Sequence, residues 1–100
     1  MKISKDEFFE RMKEAPLSPI KIPFIKINDI DHAIIHYQPS PNNKNYKNSD
    51  EKYLWGVLNT KTNQFIYKKY YQTQVKMKPF KKIVNFLYKI YRENNLTFIK

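Results

Sequence analysis

The sequence predicts a small α+β protein: an N-terminal helix, a three- to four-stranded antiparallel sheet and a C-terminal amphipathic helix, with the helices on one face of the sheet. Three features predict this class: a capped helix start near the N-terminus, short β-branched and aromatic runs separated by turn residues, and a helical apolar period near the C-terminus. At 100 residues the chain has the size of one domain, so we expect residues 1–100 to form a single unit.

The first helix is indicated by its capping residues. Ser4 and Glu7 have the spacing of a capping box, in which each side chain satisfies the backbone N–H of the other residue. Proline disfavours helical geometry in the residue before it, so Pro16 limits the helix to residues 5–15. Further prolines at positions 19 and 23 predict a stiff, extended connector to the sheet.

The middle of the chain contains four segments with the composition of strands. They are 24–30, 33–38, 53–58 and 64–71. Residues 39–51 are rich in Pro, Asn, Ser and Lys and predict an exposed loop. Asn63 suits a left-handed turn position between the last two strands, and Gly56 in mid-strand indicates a bulge or a close backbone approach.

The second helix is predicted over residues 79–93. Its apolar face is formed by residues that recur at intervals of three and four: Phe80, Ile83, Val84, Leu87, Ile90 and Tyr91. Pro79 suits the first helical position, and Asn94 can close the helix in left-handed geometry. Residues 96–99 have the composition of a short final strand.

The charge of the chain is distributed unevenly. The formal net charge is +10, and residues 1–51 contain eight basic and eight acidic residues, whereas residues 52–100 contain eleven basic residues and one acid, Glu93. An AT-rich genome also encodes many Lys, Asn, Ile and Tyr residues, but such a bias does not remove the acids from one half. The asymmetry therefore predicts a polyanionic partner: nucleic acid, an anionic membrane surface or an acidic protein surface.

Several classes of site are excluded by composition. The chain has no cysteine, which excludes disulfides, thiol nucleophiles and thiolate zinc sites, and its single glycine excludes a P-loop and a dinucleotide-binding fingerprint. The N-terminus lacks the apolar region of a signal peptide, and no apolar run is long enough to span a bilayer, so we expect a cytoplasmic protein without a transmembrane segment. We predict no catalytic residues, cofactor or metal, and an enzyme is the less favoured interpretation.

The predicted hairpin combines lysine with aromatic residues. The residues that we expect to contact nucleic acid are Lys68, Lys69, Tyr70 and Tyr71. We expect the lysines to bind phosphates and Tyr70 or Tyr71 to stack on a base. The two-residue period of a strand places Phe65, Tyr67, Lys69 and Tyr71 on one face and Ile66, Lys68 and Tyr70 on the other. Tyrosine also suits strands for structural reasons alone, so this interpretation has an equal alternative.

The start of the second helix is crowded with positive charge. The four lysines there are Lys76, Lys78, Lys81 and Lys82. Because a helix N-terminus carries partial positive charge, acids are the usual residues at this position, and a bound phosphate would relieve the repulsion. The alternative is that the lysines are solvated and screened by salt. We hypothesise an anion site that includes these four residues.

Two histidines, His32 and His36, flank Ile34 close to Asp29 and Asp31, where the sequence favours a strand. In a strand their spacing of four residues separates them by roughly 13 Å, which is too far for one metal ion. One of them could serve as the general acid–base group of a metal-independent ribonuclease. The favoured interpretation is that both are ordinary surface or edge-strand residues.

Three functions are consistent with these observations, in decreasing order of preference. The first is a nucleic-acid-binding protein that contacts the phosphate backbone through its basic, aromatic-rich C-terminal half. The second is a small protein from a phage or mobile element that binds and inhibits a host protein, through the first helix or the 39–51 loop. The third is a toxin-like ribonuclease that depends on His32 or His36.

Overall fold

The structure is a computed structural model that describes residues 2–37, 53–71 and 76–99. Its elements, in chain order, are α1 (Lys5–Met12), β1 (Pro23–Ile27), β2 (Ile30–Tyr37), β3 (Tyr53–Asn59), β4 (Gln64–Tyr71), α2 (Met77–Arg92) and β5 (Leu96–Phe98). The strands form one antiparallel sheet in the order β4-β3-β2-β1-β5. The predicted α+β class is confirmed, and the sheet has five strands because β5 pairs with β1. The 39–51 loop lies outside the described residues.

Helix α1 begins at its predicted cap and ends earlier than predicted. The Ser4 hydroxyl oxygen accepts a hydrogen bond from the Glu7 backbone N–H at 3.2 Å. The helix ends at Met12, because the following amides bond three residues back instead of four, as in Ala15 N–H to Met12 C=O at 3.0 Å. Among the described residues, no helix is long and apolar enough to cross a bilayer.

Helix α2 begins at Met77, two residues before its predicted start. Pro79 therefore occupies the third helical position. A backbone N–H at this position would form no hydrogen bond within the helix, so the N–H that proline lacks costs the helix nothing. The predicted apolar face is confirmed at its centre, where Phe80, Ile83, Val84 and Leu87 are buried. The helix closes at Asn94, which has a positive φ of 65° as predicted.

The main core lies between the helices and one face of the sheet, which we call the helix face. Phe8 of α1 is fully buried, and its ring centroid lies 5.4 Å from that of Tyr88, 5.1 Å from that of Tyr91 and 5.3 Å from that of Phe98. These contacts join α1 to α2 and to β5. The Ile3 N–H donates to the Tyr91 hydroxyl at 2.9 Å, so the start of α1 lies beside the end of α2 and the two helices are antiparallel.

The opposite face of the sheet, which we call the open face, carries a smaller apolar cluster. Its buried members are Ala33, Ile35, Leu54 and Leu58. The connector before β1 lies along this cluster: Ser18 forms a bridge with Ile35, and the Lys21 ammonium donates to the Asn63 side-chain oxygen. In the described residues neither helix contributes to this cluster, so the connector is its cover.

A bulge in β4 changes which side chains share a face. Val57 pairs with Tyr67 and Leu58 pairs with Phe65, so Ile66 is an extra residue in β4. Phe65 consequently joins the open-face cluster, whereas Tyr67 packs in the core of the helix face. The prediction that these two aromatic residues lie on the same face is wrong, because the extra residue interrupts the two-residue period.

Gly56 lies opposite this irregular part of β4. A Cβ atom at Gly56 would lie 2.6 Å from ring atoms of Phe65 and 2.8 Å from the Tyr67 carbonyl oxygen. The sequence predicted either a bulge or a close backbone approach at this glycine. The close approach of β4 occurs at Gly56 itself, whereas the bulge lies in the neighbouring strand, β4.

Candidate functional site

A groove separates α1 from the first half of α2 and contains two cavities. The first cavity, of about 200 Å³, is lined by Lys13, Leu17, Trp55, Lys76, Met77 and Phe80. The second, of about 380 Å³, is lined by Lys5, Asp6, Phe9, Lys81 and Asn85. We call the residues that line these two cavities the α1–α2 groove.

The two cavities are neighbours because aromatic rings connect them. The rings of Phe9 and Phe80 meet edge to face with centroids 5.4 Å apart, and the Lys13 ammonium lies 5.0 Å from the centroid of the Phe9 ring. Lys5, Phe9 and Lys13 are spaced by four residues and therefore lie along one side of α1. The groove thus has an aromatic floor and positive charge along both edges.

The inner end of the first cavity is formed by Trp55 on β3. Its side chain is only 1% exposed, and the His36 ring stacks on it with centroids 4.1 Å apart. The His36 Nδ1–H donates to the Leu54 carbonyl oxygen at 3.1 Å. Burial lowers the pKa of His36, and the nearby Lys76 ammonium lowers this pKa further. The imidazole is therefore biased towards its neutral form, and the lysines provide the positive charge of this cavity.

The four lysines predicted at the start of α2 occupy two different positions. Lys76 and Lys81 line the groove, whereas Lys78 and Lys82 are exposed on α2 and line neither of its cavities. Within the described ranges the ion pairs are Lys13–Glu10 at 3.0 Å and Lys26–Asp31 at 3.9 Å, and neither involves these four lysines.

The fold also brings cations from the electrically neutral half of the chain into the groove. Lys5 and Lys13 of α1 lie across from Lys81 and Lys76 of α2, respectively. Sequence reasoning did not identify Lys5 or Lys13 as site residues. Their spacing around Phe9 was the available signal, but it becomes informative only when α1 is known to lie antiparallel beside α2.

The backbone at the start of α2 offers few donors to an anion. Lys76 is the N-cap residue and forms no side-chain capping bond, and the described first turn contains no acidic residue. Pro79 has no N–H, so the amides of this turn that can meet an anion are those of Met77 and Lys78. An anion at this end of the helix would therefore meet mainly lysine side chains.

The hairpin residues are distributed over both faces of the edge strand β4. The Lys68 ammonium lies 5.6 Å from the centroid of the Phe65 ring and 5.9 Å from that of Tyr70, on the open face. The Lys69 ammonium lies 5.6 Å from the centroid of the Tyr71 ring, on the helix face. The structure therefore separates Lys68 and Tyr70 from Lys69 and Tyr71.

The two tyrosines predicted to stack on bases are partly buried. Tyr70 packs against the open-face cluster and Tyr71 against the core of the helix face. The Tyr71 hydroxyl is buried and has no hydrogen-bond partner among the described residues. Burial, together with nearby Tyr67, raises the pKa of Tyr71 to about 12.

Both histidines lie on β2, the central strand of the sheet, so neither is an edge-strand residue; His36 is half-buried, whereas His32 is not the surface residue that was expected. His32 is 3% exposed, and its Nδ1–H donates to the Ile30 carbonyl oxygen at 2.7 Å. Its ring is therefore shielded from solvent. Within the described ranges no group of three or more metal-ligating side chains occurs.

Comparisons with known proteins offer no template for this groove. No protein-family model, curated protein or solved structure gives a significant match to the chain. The function must therefore be inferred from the chemistry of the groove itself. Ammonium groups at its edges and apolar side chains at its floor suit a ligand that joins negative charge to an apolar or aromatic group.

Proposed function

We propose that the protein binds nucleic acid through the α1–α2 groove and the lysines around the start of α2. The observation that carries this proposal is the pairing of Lys13 with Lys76 and of Lys5 with Lys81 across one aromatic-floored groove. Lysines that neutralise phosphates release the counterions of the polymer, which supplies affinity for any sequence. The aromatic floor adds a surface that suits bases.

The free state of these lysines also supports a polyanionic ligand. No described carboxylate lies within ion-pair distance of Lys76 or Lys81. Lys13 pairs with Glu10, but both side chains are well exposed, at 46% and 68%. Exposed pairs of this kind contribute about 0–1 kcal/mol, so a phosphate can compete for Lys13 at little cost.

A second candidate function, the binding of an acidic protein, is favoured by the apolar side chains near the groove. Leu17 is 39% exposed and Met77 is 50% exposed, and both line the first cavity. Exposed aliphatic groups beside lysines suit a protein surface that combines apolar and acidic residues. The ribonuclease alternative has less support, because His32 is buried and His36 is covered by Trp55 on one side.

The proposal is tested by measuring the affinity for single- and double-stranded DNA and RNA over a range of salt concentrations. We expect the logarithm of the association constant to fall linearly with the logarithm of the salt concentration. The decrease should be about 0.7 per neutralised phosphate for single strands and about 0.9 for duplex DNA. Affinity that does not depend on salt, or an absence of binding to all four polymers at low salt, would contradict the proposal.

A pair of matched variants tests the location of the site. Lys76→Gln/Lys81→Gln removes two cations of the groove, and we expect the salt slope to fall by about 1.4 for a single strand. Lys26→Gln/Lys61→Gln removes the same charge at the opposite end of the sheet, near the β1–β2 and β3–β4 turns. Equal loss of affinity in both variants would show that net charge, and not the groove, governs binding.

A further inference from the structure

The first cavity of the α1–α2 groove differs from the second in its lining. Leu17, Met77, Phe80 and Trp55 form an apolar wall, whereas the second cavity is lined by mainly polar and charged groups around Phe9. The charged residues that line the first cavity, within the described part of the chain, are Lys13 and Lys76. An apolar recess of about 200 Å³ between two ammonium groups has the chemistry of a site for a flat apolar group with an anion on either side.

We propose, on the basis of the proposed function, that the first cavity accepts one unpaired base of a single-stranded nucleic acid. The phosphates on either side of this base lie at Lys13 and Lys76. The base replaces water against Phe80 and against the part of Trp55 that lines the cavity. A base inside a duplex is covered by its neighbours and cannot enter a concave site, so this contact requires a single strand.

The path of the strand follows from the second cavity. Lys5 and Lys81 continue the two cationic edges beyond Phe9, and they meet the next part of the backbone. Among the described residues, Asp6 is the acidic residue that lines the groove, and it lies in this second cavity, away from the proposed base. Charge complementarity is therefore strongest around the first cavity, where the base enters.

The same inference explains why stacking is assigned to this cavity and not to the hairpin. Tyr70 and Tyr71 are partly buried against the two apolar clusters of the sheet and line neither cavity of the groove. Leu17 and Met77, at 39% and 50% exposure, leave apolar surface free at the mouth of the cavity. Methionine adapts its shape readily, so the mouth can close around bases of different size.

Trp55 is the only tryptophan in the chain, and its fluorescence therefore reports occupancy of the cavity. The probes are an oligothymidine of about 15 nucleotides, an abasic phosphodiester of the same length, and a duplex of the same length. We expect the oligothymidine to change the Trp55 emission and to bind at least about fivefold more tightly than the abasic strand at equal salt. The abasic strand and the duplex should leave the emission unchanged.

A variant that fills the cavity without a change of charge separates base binding from phosphate binding. We expect Met77→Phe to reduce the preference for oligothymidine over the abasic strand and to retain the salt slope. Ile20→Phe is the control, because Ile20 is an exposed aliphatic residue on the connector that lines neither cavity of the groove, and this variant should retain the preference.

Each other outcome overturns the inference in a recognisable way. Equal, salt-dependent affinity for the oligothymidine and the abasic strand, with unchanged Trp55 emission, would refute the base site and leave the proposed function intact. No binding of any strand at low salt would refute both. An acidic peptide with one phenylalanine that changes the emission where the oligothymidine does not would assign the cavity to a protein partner.

Discussion

The two faces of the sheet differ in size, in cover and in chemistry. The helix face carries the large core built around Phe8 and Trp55 and, at its margin, the α1–α2 groove. The open face carries a small aliphatic cluster under the connector that contains Ser18 and Lys21. The difference shows that the elements which stabilise the fold also position the candidate site, whereas the open face supports the sheet without forming part of the groove.

The largest expected effect is a loss of folding stability, which can be compared between one buried residue from each face of the sheet. Phe8→Ala should lower the free energy of unfolding by about 4 kcal/mol, because it removes a ring that joins α1, α2 and β5. Leu58→Ala on the open face should cost about 2 kcal/mol. Urea unfolding monitored by circular dichroism measures both values.

The control for this comparison is Ile20→Ala, since this side chain is 67% exposed and should change stability by less than about 0.5 kcal/mol. If Phe8→Ala does not fold, Phe8→Leu provides a smaller change at the same position. An open-face variant that costs more than the Phe8 variant would reverse the comparison and make the connector-covered cluster the principal core.

The next effect concerns the contact between β3 and the bulged part of β4. Gly56→Ala should cost about 2 kcal/mol, because the new methyl group overlaps the Phe65 ring and the Tyr67 carbonyl oxygen, 2.6 and 2.8 Å away. Gly56→Ala/Phe65→Leu should recover only part of this loss, since the backbone contact persists. A change below about 0.5 kcal/mol in the single variant would show that the two strands separate easily here.

The parts of this fold that could be predicted from the sequence are those set by local chemistry. The Ser4 cap depends on residues three apart, and the left-handed Asn63 and Asn94, with φ of 60° and 65°, depend on a residue type that tolerates this backbone region. The apolar period of α2 is equally local. Each of these predictions is confirmed by the structure.

The parts that could not be predicted depend on packing between distant segments. Nothing in the local sequence marks Ile66 as the extra residue of a bulge, yet this residue places Phe65 and Tyr67 on opposite faces of the sheet. Lys5 and Lys13 belong to a segment with balanced charge, and only the antiparallel placement of α1 and α2 brings them into the groove. Of the four lysines predicted at the start of α2, Lys76 and Lys81 line the groove, and Lys78 and Lys82 do not.

A smaller effect tests the histidine that stacks on Trp55. Because burial lowers the pKa of His36 in the folded state, the unfolded chain takes up a proton first as the pH falls below the ordinary value of 6.5. The contribution of His36 to the free energy of unfolding should therefore be complete above pH 6.5. This contribution should decrease as the pH falls towards the folded-state pKa. His36→Gln, which cannot titrate, should reduce this dependence in urea unfolding measured on either side of that value. An unchanged pH dependence in the variant would assign the effect to other groups.

The smallest effect concerns the hydroxyl of Tyr71, which lies on the helix face without a hydrogen-bond partner among the described residues. Since a buried hydroxyl that lacks a partner is unfavourable, Tyr71→Phe should leave the free energy of unfolding unchanged or raise it by up to about 1 kcal/mol. Tyr88→Phe is the matched control, because Tyr88 packs against the same core and does not contribute to the raised pKa of Tyr71. Spectrophotometric titration should show one tyrosine with a pKa of about 12 that is missing in the Tyr71 variant. A loss of stability above about 1 kcal/mol would show that the hydroxyl forms a bond that stabilises this face.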